Sequence, residues 1–180
     1  MRYRRSFSPG GTFFFTVVTY QRRKIFVDLA NIELLVDVTD EIRQRHPFKI
    51  IAQVILPDHL HTIWELPRED TDYPTRWRLI KSLFTRRKEK YPQAVLPPSR
   101  LLKGEQAVWQ RRYWEHQIRD DDDLEKHIEY IHFNPVHHGL VKLLVEWPYS
   151  SFHRYVKDGI HDVDWVSVRQ FGDRKDVGGE

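Results

Sequence analysis

The sequence predicts an α+β domain built on a ferredoxin-like antiparallel sheet of βαββαβ type, with one further helix appended. Three observations carry that expectation. Short β-branched and aromatic segments are interleaved with segments whose apolar residues recur at helical spacing. Their order along the chain is β-α-β-β-α-β-α. The 180 residues suit one domain, which at this size buries about 70% of the surface its unfolded chain exposes.

Gly10 and Gly11 break the chain before Thr12-Phe13-Phe14-Phe15-Thr16-Val17-Val18-Thr19, a buried first strand. Over 28–46, Ile32, Leu35, Val36, Thr39 and Ile42 keep helical spacing, and Pro47 stops the helix. A second strand follows over 48–56. Pro57-Asp58 makes a turn into a third strand over 59–66, giving an antiparallel hairpin. A second helix is expected over 76–91, with Trp77, Ile80 and Phe84 inward and a basic outer surface. Three prolines and a glycine mark 92–106 as a loop, and 108–118 reads as a fourth strand or an irregular extended segment. Asp120 to Asp123 then supply a cap and dipole-complementing charge for a third helix over 124–136.

Composition removes several chemistries. With no cysteine there is no disulfide framework, thiolate zinc site or thiol nucleophile, in keeping with a reducing compartment. No apolar run approaches the roughly 20 residues of a membrane span, and the basic start MRYRRSFSPGG leads into no apolar signal core, so a cytoplasmic location is expected. The net charge of +3 leaves ten histidines uncounted, and aromatics make up 13%. Phosphates attract Lys and Arg, and unstacked bases attract aromatic faces, so the pairing raises the case for a nucleic-acid partner. A solvated surface over an aromatic core meets the composition more simply.

Two constellations could carry chemistry. His59 and His61 alternate on the third strand, so their imidazoles share a face about 7 Å apart at the backbone and could converge on one ion, although two packed histidines would look the same. On the third helix, Leu124, Ile128 and Ile131 form a core stripe, with His127, Tyr130 and Asn134 about 90° round from it. Tyr130 is thereby expected at the flank of the buried face with its hydroxyl exposed. Asn134-Pro135 is an ordinary helix stop, yet an amide oxygen one turn after a tyrosine could join two imidazoles around a divalent ion. Such a ligand set suits Mn2+ and accepts Mg2+.

The runs Leu56-Pro57-Asp58-His59-Leu60-His61-Thr62-Ile63-Trp64, Arg76-Trp77-Arg78-Leu79-Ile80-Lys81, Trp109-Gln110-Arg111-Arg112-Tyr113-Trp114-Glu115-His116 and Tyr130-Ile131-His132-Phe133-Asn134-Pro135-Val136, in that order, resemble the REP-associated tyrosine transposases. These are single-tyrosine HUH endonucleases related to bacterial insertion-sequence transposases. The likeness spans the chain from Gly10 to Phe152. It implies that His59 and His61 are metal ligands, that Asn134 is the third ligand to Mg2+ or Mn2+, and that the appended helix carries the nucleophile, Tyr130.

The resemblance further implies a single-stranded DNA substrate cut near the foot of a REP hairpin, a 5′-phosphotyrosine intermediate and strand transfer. It leaves no role for a nucleotide cofactor. Arg4, Arg5, Arg78, Lys81 and Arg112 are the expected DNA contacts, while His116, His127, His132, His137 and His138 are read as structural or near the DNA. The catalytic domain is expected over 1–156, with a polar tail over 157–180, and the chain is read as a monomer, in the cytoplasm and at the nucleoid when bound to DNA. Two other functions compete: a REP-binding protein that no longer cleaves, and a metal phosphoesterase in which water attacks.

Overall fold

The computed structural model describes residues 10–88 and 107–165. Four strands, β1 (Thr12–Val18), β2 (Lys49–Ile55), β3 (His59–Glu65) and β4 (Trp114–Gln117), form one sheet in the order β2-β3-β1-β4. All pairings are antiparallel, with a bulge in β2 between Ile50 and Ala52. The helices are α1 (Leu29–Arg45), α2 (Tyr73–Arg87), α3 (Asp121–His137) and the short α4 (Phe152–Lys157). This is the α+β, ferredoxin-like arrangement that the element order predicts, with α3 and α4 appended after β4.

Alternation along β1 divides the core in two. Phe13, Phe15 and Val17 join Leu60 and Trp64 of β3 beneath α1 and α2, where Trp64 stacks on Trp77 at 4.2 Å between ring centroids. Phe14 points the other way and joins Ala52, Val54 and Ile63 beneath α3. The candidate site lies on this second face.

The three long helices each begin on an aspartate. Asp28 accepts from Ala30 N at 3.1 Å, Asp72 from Thr75 N at 3.1 Å and Asp120 from Asp123 N at 2.8 Å. The cap explains why α2 starts at Tyr73 and not at 76: Asp72 satisfies a first-turn amide and Pro74 tolerates that turn because it has no N–H to lose. The expected fourth strand over 108–118 contracts to Trp114–Gln117, joined to β1 a second time through a lone bridge between Trp109 and Thr19. The expected loop over 92–106 lies outside the described residues. Helix α4 crosses the boundary expected at 156, and ordered packing continues to Trp165, which stacks on His161 at 4.2 Å.

Gly10 shows how tightly the sheet is closed below β1. A Cβ there would stand 1.9 Å from the carbonyl oxygen of Pro67, a backbone atom that cannot swing aside. Gly10→Ala is therefore expected to destabilise the fold by roughly 3 kcal/mol, or about 10 °C in Tm, measured by thermal unfolding. A melt within two or three degrees of wild type would refute this close approach.

Candidate active site

The turn Pro57-Asp58 delivers β3 with His59 as its first residue, and the strand's pleat sets His59 and His61 on the α3 face. Both are buried, and their rings lie 4.9 Å apart, nearly perpendicular. Each has its Nδ1 engaged. The Asp58 carboxylate meets His59 Nδ1 at 2.6 Å, and the Thr16 hydroxyl, directly across the ladder on β1, meets His61 Nδ1 at 2.9 Å. A carboxylate can only accept, so His59 carries its proton on Nδ1 and keeps its Nε2 lone pair for another partner. Burial works to raise the Asp58 carboxyl, but its hydrogen bond and attraction to His59, then to Arg22, outweigh this and hold it below the usual carboxylate range.

Helix α3 lies over this pair. Tyr130 approaches His61 to 5.1 Å between rings and Phe14 to 6.1 Å. One turn on is Asn134, and a further turn on His138 approaches the His59 ring to 5.3 Å. Asn134 thus sits on a stripe between a residue touching His61 and one touching His59. It is 1% exposed, and neither its amide oxygen nor its amide nitrogen has a hydrogen-bond partner among the described residues. A buried amide without partners costs about 1–3 kcal/mol, and its oxygen is open to a ligand. Two imidazoles with oriented Nε2 atoms and a spare amide oxygen fit the donor set of a hard to borderline divalent cation.

Two expectations are corrected. Tyr130 is 5% exposed and its hydroxyl oxygen is buried, not turned to solvent. A single stripe underestimates the covered arc because α3 is packed from more than one side, the sheet beneath it and α4 beside it, so that ten of its residues are buried. Nor does Asn134-Pro135 end the helix, which runs on to His137.

A second cluster escaped the sequence analysis as a unit. His116 of β4 meets Asp123 at 2.8 Å, Arg119 donates to the same carboxylate oxygen through N and Nε, and His127 Nδ1 donates to the Asp123 carbonyl at 2.7 Å. Ligating atoms of His116, Asp123 and His127 lie within 4.8 Å of one another. The two rings stack almost parallel and a guanidinium occupies the carboxylate, so an ion there would meet lone pairs running side by side and a positive neighbour. The arrangement anchors the first turn of α3 to β4, two turns before Tyr130. No single residue type announced it, since it forms only when β4 and α3 meet.

Two buried histidines of α3, His127 and His132, set an acid limit on stability. Burial pushes His127 down to about 4, against the lesser pull of Asp123, and burial drives His132 well below the ordinary histidine value. Below about pH 6.5 the unfolded chain binds protons at these histidines that the folded chain refuses, so stability falls with pH. The loss is expected to reach about 2 kcal/mol for His127 by pH 5, read from urea unfolding. His127→Gln should flatten that dependence; an unchanged slope would show that His127 is not the source.

The expected DNA contacts divide. Arg78 and Lys81 line a cavity of about 560 Å³ between α2 and 109–113, where Arg111 joins them and Arg112 does not. Arg76, part of the same basic run, is buried and bridges Asp70 at 2.6 Å to the carbonyls of His46, Pro47 and Asp72. Arg4 and Arg5 lie outside the described residues. No helix among the described residues is long and apolar enough to cross a membrane.

Comparison with known proteins identifies the fold and the family. A solved structure of a REP-associated tyrosine transposase bound to a REP hairpin superposes with a TM-score of 0.75 and 39% identity, covering 97% of this chain and 98% of that one. The fold with its histidine-bearing strand and tyrosine-bearing helix is therefore that of a tyrosine transposase, a DNA-processing enzyme. No protein-family model matches. The REP-associated tyrosine transposase of Escherichia coli K12 is 40% identical over 91% of this chain and 90% of its own length. A Haemophilus influenzae Rd protein bearing the same family name is 42% identical over 91% of this chain and 92% of its own. The chain belongs to the REP-associated tyrosine transposases.

Proposed function

We propose that this transposase cleaves and rejoins single-stranded DNA at REP hairpins, with the Tyr130 oxygen as nucleophile. The observation that carries this reading is the stripe on α3: Tyr130 against His61, and Asn134 beside it with a buried, unpartnered amide. His59, His61 and Asn134 would hold Mg2+ or Mn2+, which when bound supplies Lewis-acid polarisation of the scissile phosphate. The chain's own work is positional. Asp58 and Thr16 hold the two imidazoles, and Phe14 packs against both His61 and Tyr130, so nucleophile and ligands share one rigid wall.

A bond forms between the Tyr130 oxygen and phosphorus while the bond from phosphorus to the 3′ oxygen breaks. The phenol gives up its proton and the departing 3′ oxygen gains one, leaving a 5′-phosphotyrosine and a free 3′-hydroxyl. The ester keeps the energy of the broken bond, so a second 3′-hydroxyl can reverse the step and join strands.

The test is mass spectrometry of the reaction with a labelled REP-hairpin oligonucleotide and Mg2+ or Mn2+. A peptide containing residue 130 that has gained a 5′-nucleotide is expected. Cleaved DNA with both ends free and no adduct at any time would instead mean that water attacks. Tight binding without cleavage would mean a protein that only holds REP DNA.

A further inference from the structure

We propose that the cavity between α2 and residues 109–113 holds one unstacked nucleotide of the single-stranded DNA that the Tyr130 site cuts. The inference rests on the DNA reading above and adds where the strand goes on the other side of the sheet. The cavity and the histidine pair share one end of the sheet. Gln110 N donates to Val18 O at 2.9 Å, Tyr20 N to Val108 O at 2.9 Å, and Trp109 bridges Thr19. Thr19 in turn donates to the Asp58 carbonyl through N at 2.9 Å and Oγ1 at 2.8 Å. Asp58 is the residue that orients His59. Val18, paired with His59 across the ladder, ends β1 at this point. The two places lie on opposite faces of this sheet end, and β4, the short strand on that side, is the edge strand of the sheet among the described residues.

The lining has the chemistry of a nucleotide. Tyr113, half-buried, supplies an aromatic ring and the buried Trp77 and Trp109 add ring atoms to the wall; Arg78, Lys81, Arg86 and Arg111 supply cations. Among the described residues no carboxylate pairs with any of these four cations. Trp77 and Trp109 keep their indole N–H groups buried without an acceptor among the described residues. Lys81 is the most telling. Its ammonium donates to Gln110 O at 2.6 Å and lies 6.0 Å from the centre of the Tyr113 ring, and burial brings it down to about 8. A half-buried lysine beside an aromatic ring, with no carboxylate partner among the described residues, has donors left for an acceptor from outside.

A phosphate answers the cations and a base answers the rings, and a single strand offers both at each residue. A duplex does not, since its bases are stacked and paired away from a cavity. The volume of about 560 Å³ lies in the middle of the range for sites that enclose one small molecule, roughly 300–1,000 Å³.

The experiment uses the full-length Tyr130→Phe chain, so that the strand stays whole, and a REP hairpin carrying a single-stranded flank with 5-iodouracil at each flank position in turn. Irradiation is expected to cross-link one or two positions to Trp77, Trp109 or Tyr113, identified by mass spectrometry. Arg78→Gln with Arg111→Gln, both exposed residues whose loss spares the core, should weaken the flanked hairpin about tenfold while leaving the bare hairpin duplex unchanged. The salt dependence of log affinity should fall by about 1 for each phosphate contact removed. Cross-links confined to β3 and α3, or equal weakening of flanked and bare hairpins, would overturn the cavity assignment with the DNA reading intact. Cavity cross-links from a wild-type chain that never forms an adduct would sink the cleavage reading instead. A flanked hairpin that fails to bind would overturn both.

Discussion

Tyr130→Phe is expected to eliminate the covalent protein–DNA product, a loss of at least about a thousandfold, with affinity for a REP hairpin kept within about twofold. The substitution removes one oxygen and nothing else. The ring stays against His61 and Phe14, whose contacts at 5.1 and 6.1 Å involve no hydroxyl. Loss of one buried hydroxyl costs on the order of 1 kcal/mol, so a folded, DNA-binding chain without a nucleophile should result. Denaturing gels with labelled oligonucleotide read the adduct, and polarisation reads binding. The next candidate is Tyr113, whose phenol burial, followed by the charge of Glu115, pushes up to about 12, above that of an ordinary tyrosine. An adduct that survives Tyr130→Phe and disappears in Tyr113→Phe would transfer the role.

His59→Ala and His61→Ala should each lower single-turnover cleavage by about a hundredfold to a thousandfold. Mn2+ affinity, read by paramagnetic resonance or calorimetry, should fall in parallel, which separates a lost ligand from a misplaced tyrosine. Asp58→Asn is expected to cost less, about tenfold to a hundredfold, because the ligand remains but loses the carboxylate that holds its ring. The ordering matters more than any single value. Cleavage near wild type in both alanine variants would leave the histidine pair as packing, with its Thr16 and Asp58 partners serving only burial.

Much of this was legible before any coordinates. The strand carrying His59 and His61 is bounded by a proline turn and alternates cleanly, so period alone placed both imidazoles on one face. The helix spacing put Tyr130 and Asn134 on one stripe. What failed was everything that depends on a second element arriving. Tyr130 is buried because α3 is covered from more than one side, which a helical wheel does not show. His116, Asp123 and His127 stand apart in the sequence and meet only when β4 docks beside α3. Thr16 reads as one more strand residue until the β1–β3 register sets it opposite His61. Arg76 looked like its basic neighbours, and only the loop before α2, which brings Asp70 to it, makes it a buried strut.

The edges of the sheet are unequal. Along β2, Ile55 N donates to Tyr149 O at 2.9 Å, Ser151 N to Gln53 O at 2.8 Å and Trp147 Nε1 to Ile55 O at 3.0 Å, while Arg154 and Tyr155 reach the Ile51 carbonyl. The segment after α3 thus acts as a selvedge, finishing a border that would otherwise invite another chain to add a strand. A chain cut short before Trp147 would keep the histidines, the tyrosine and the asparagine, yet present β2 as a bare template for its own kind. Such a truncation is expected to self-associate through β2, so the segment after α3 guards the sheet against pairing with another chain.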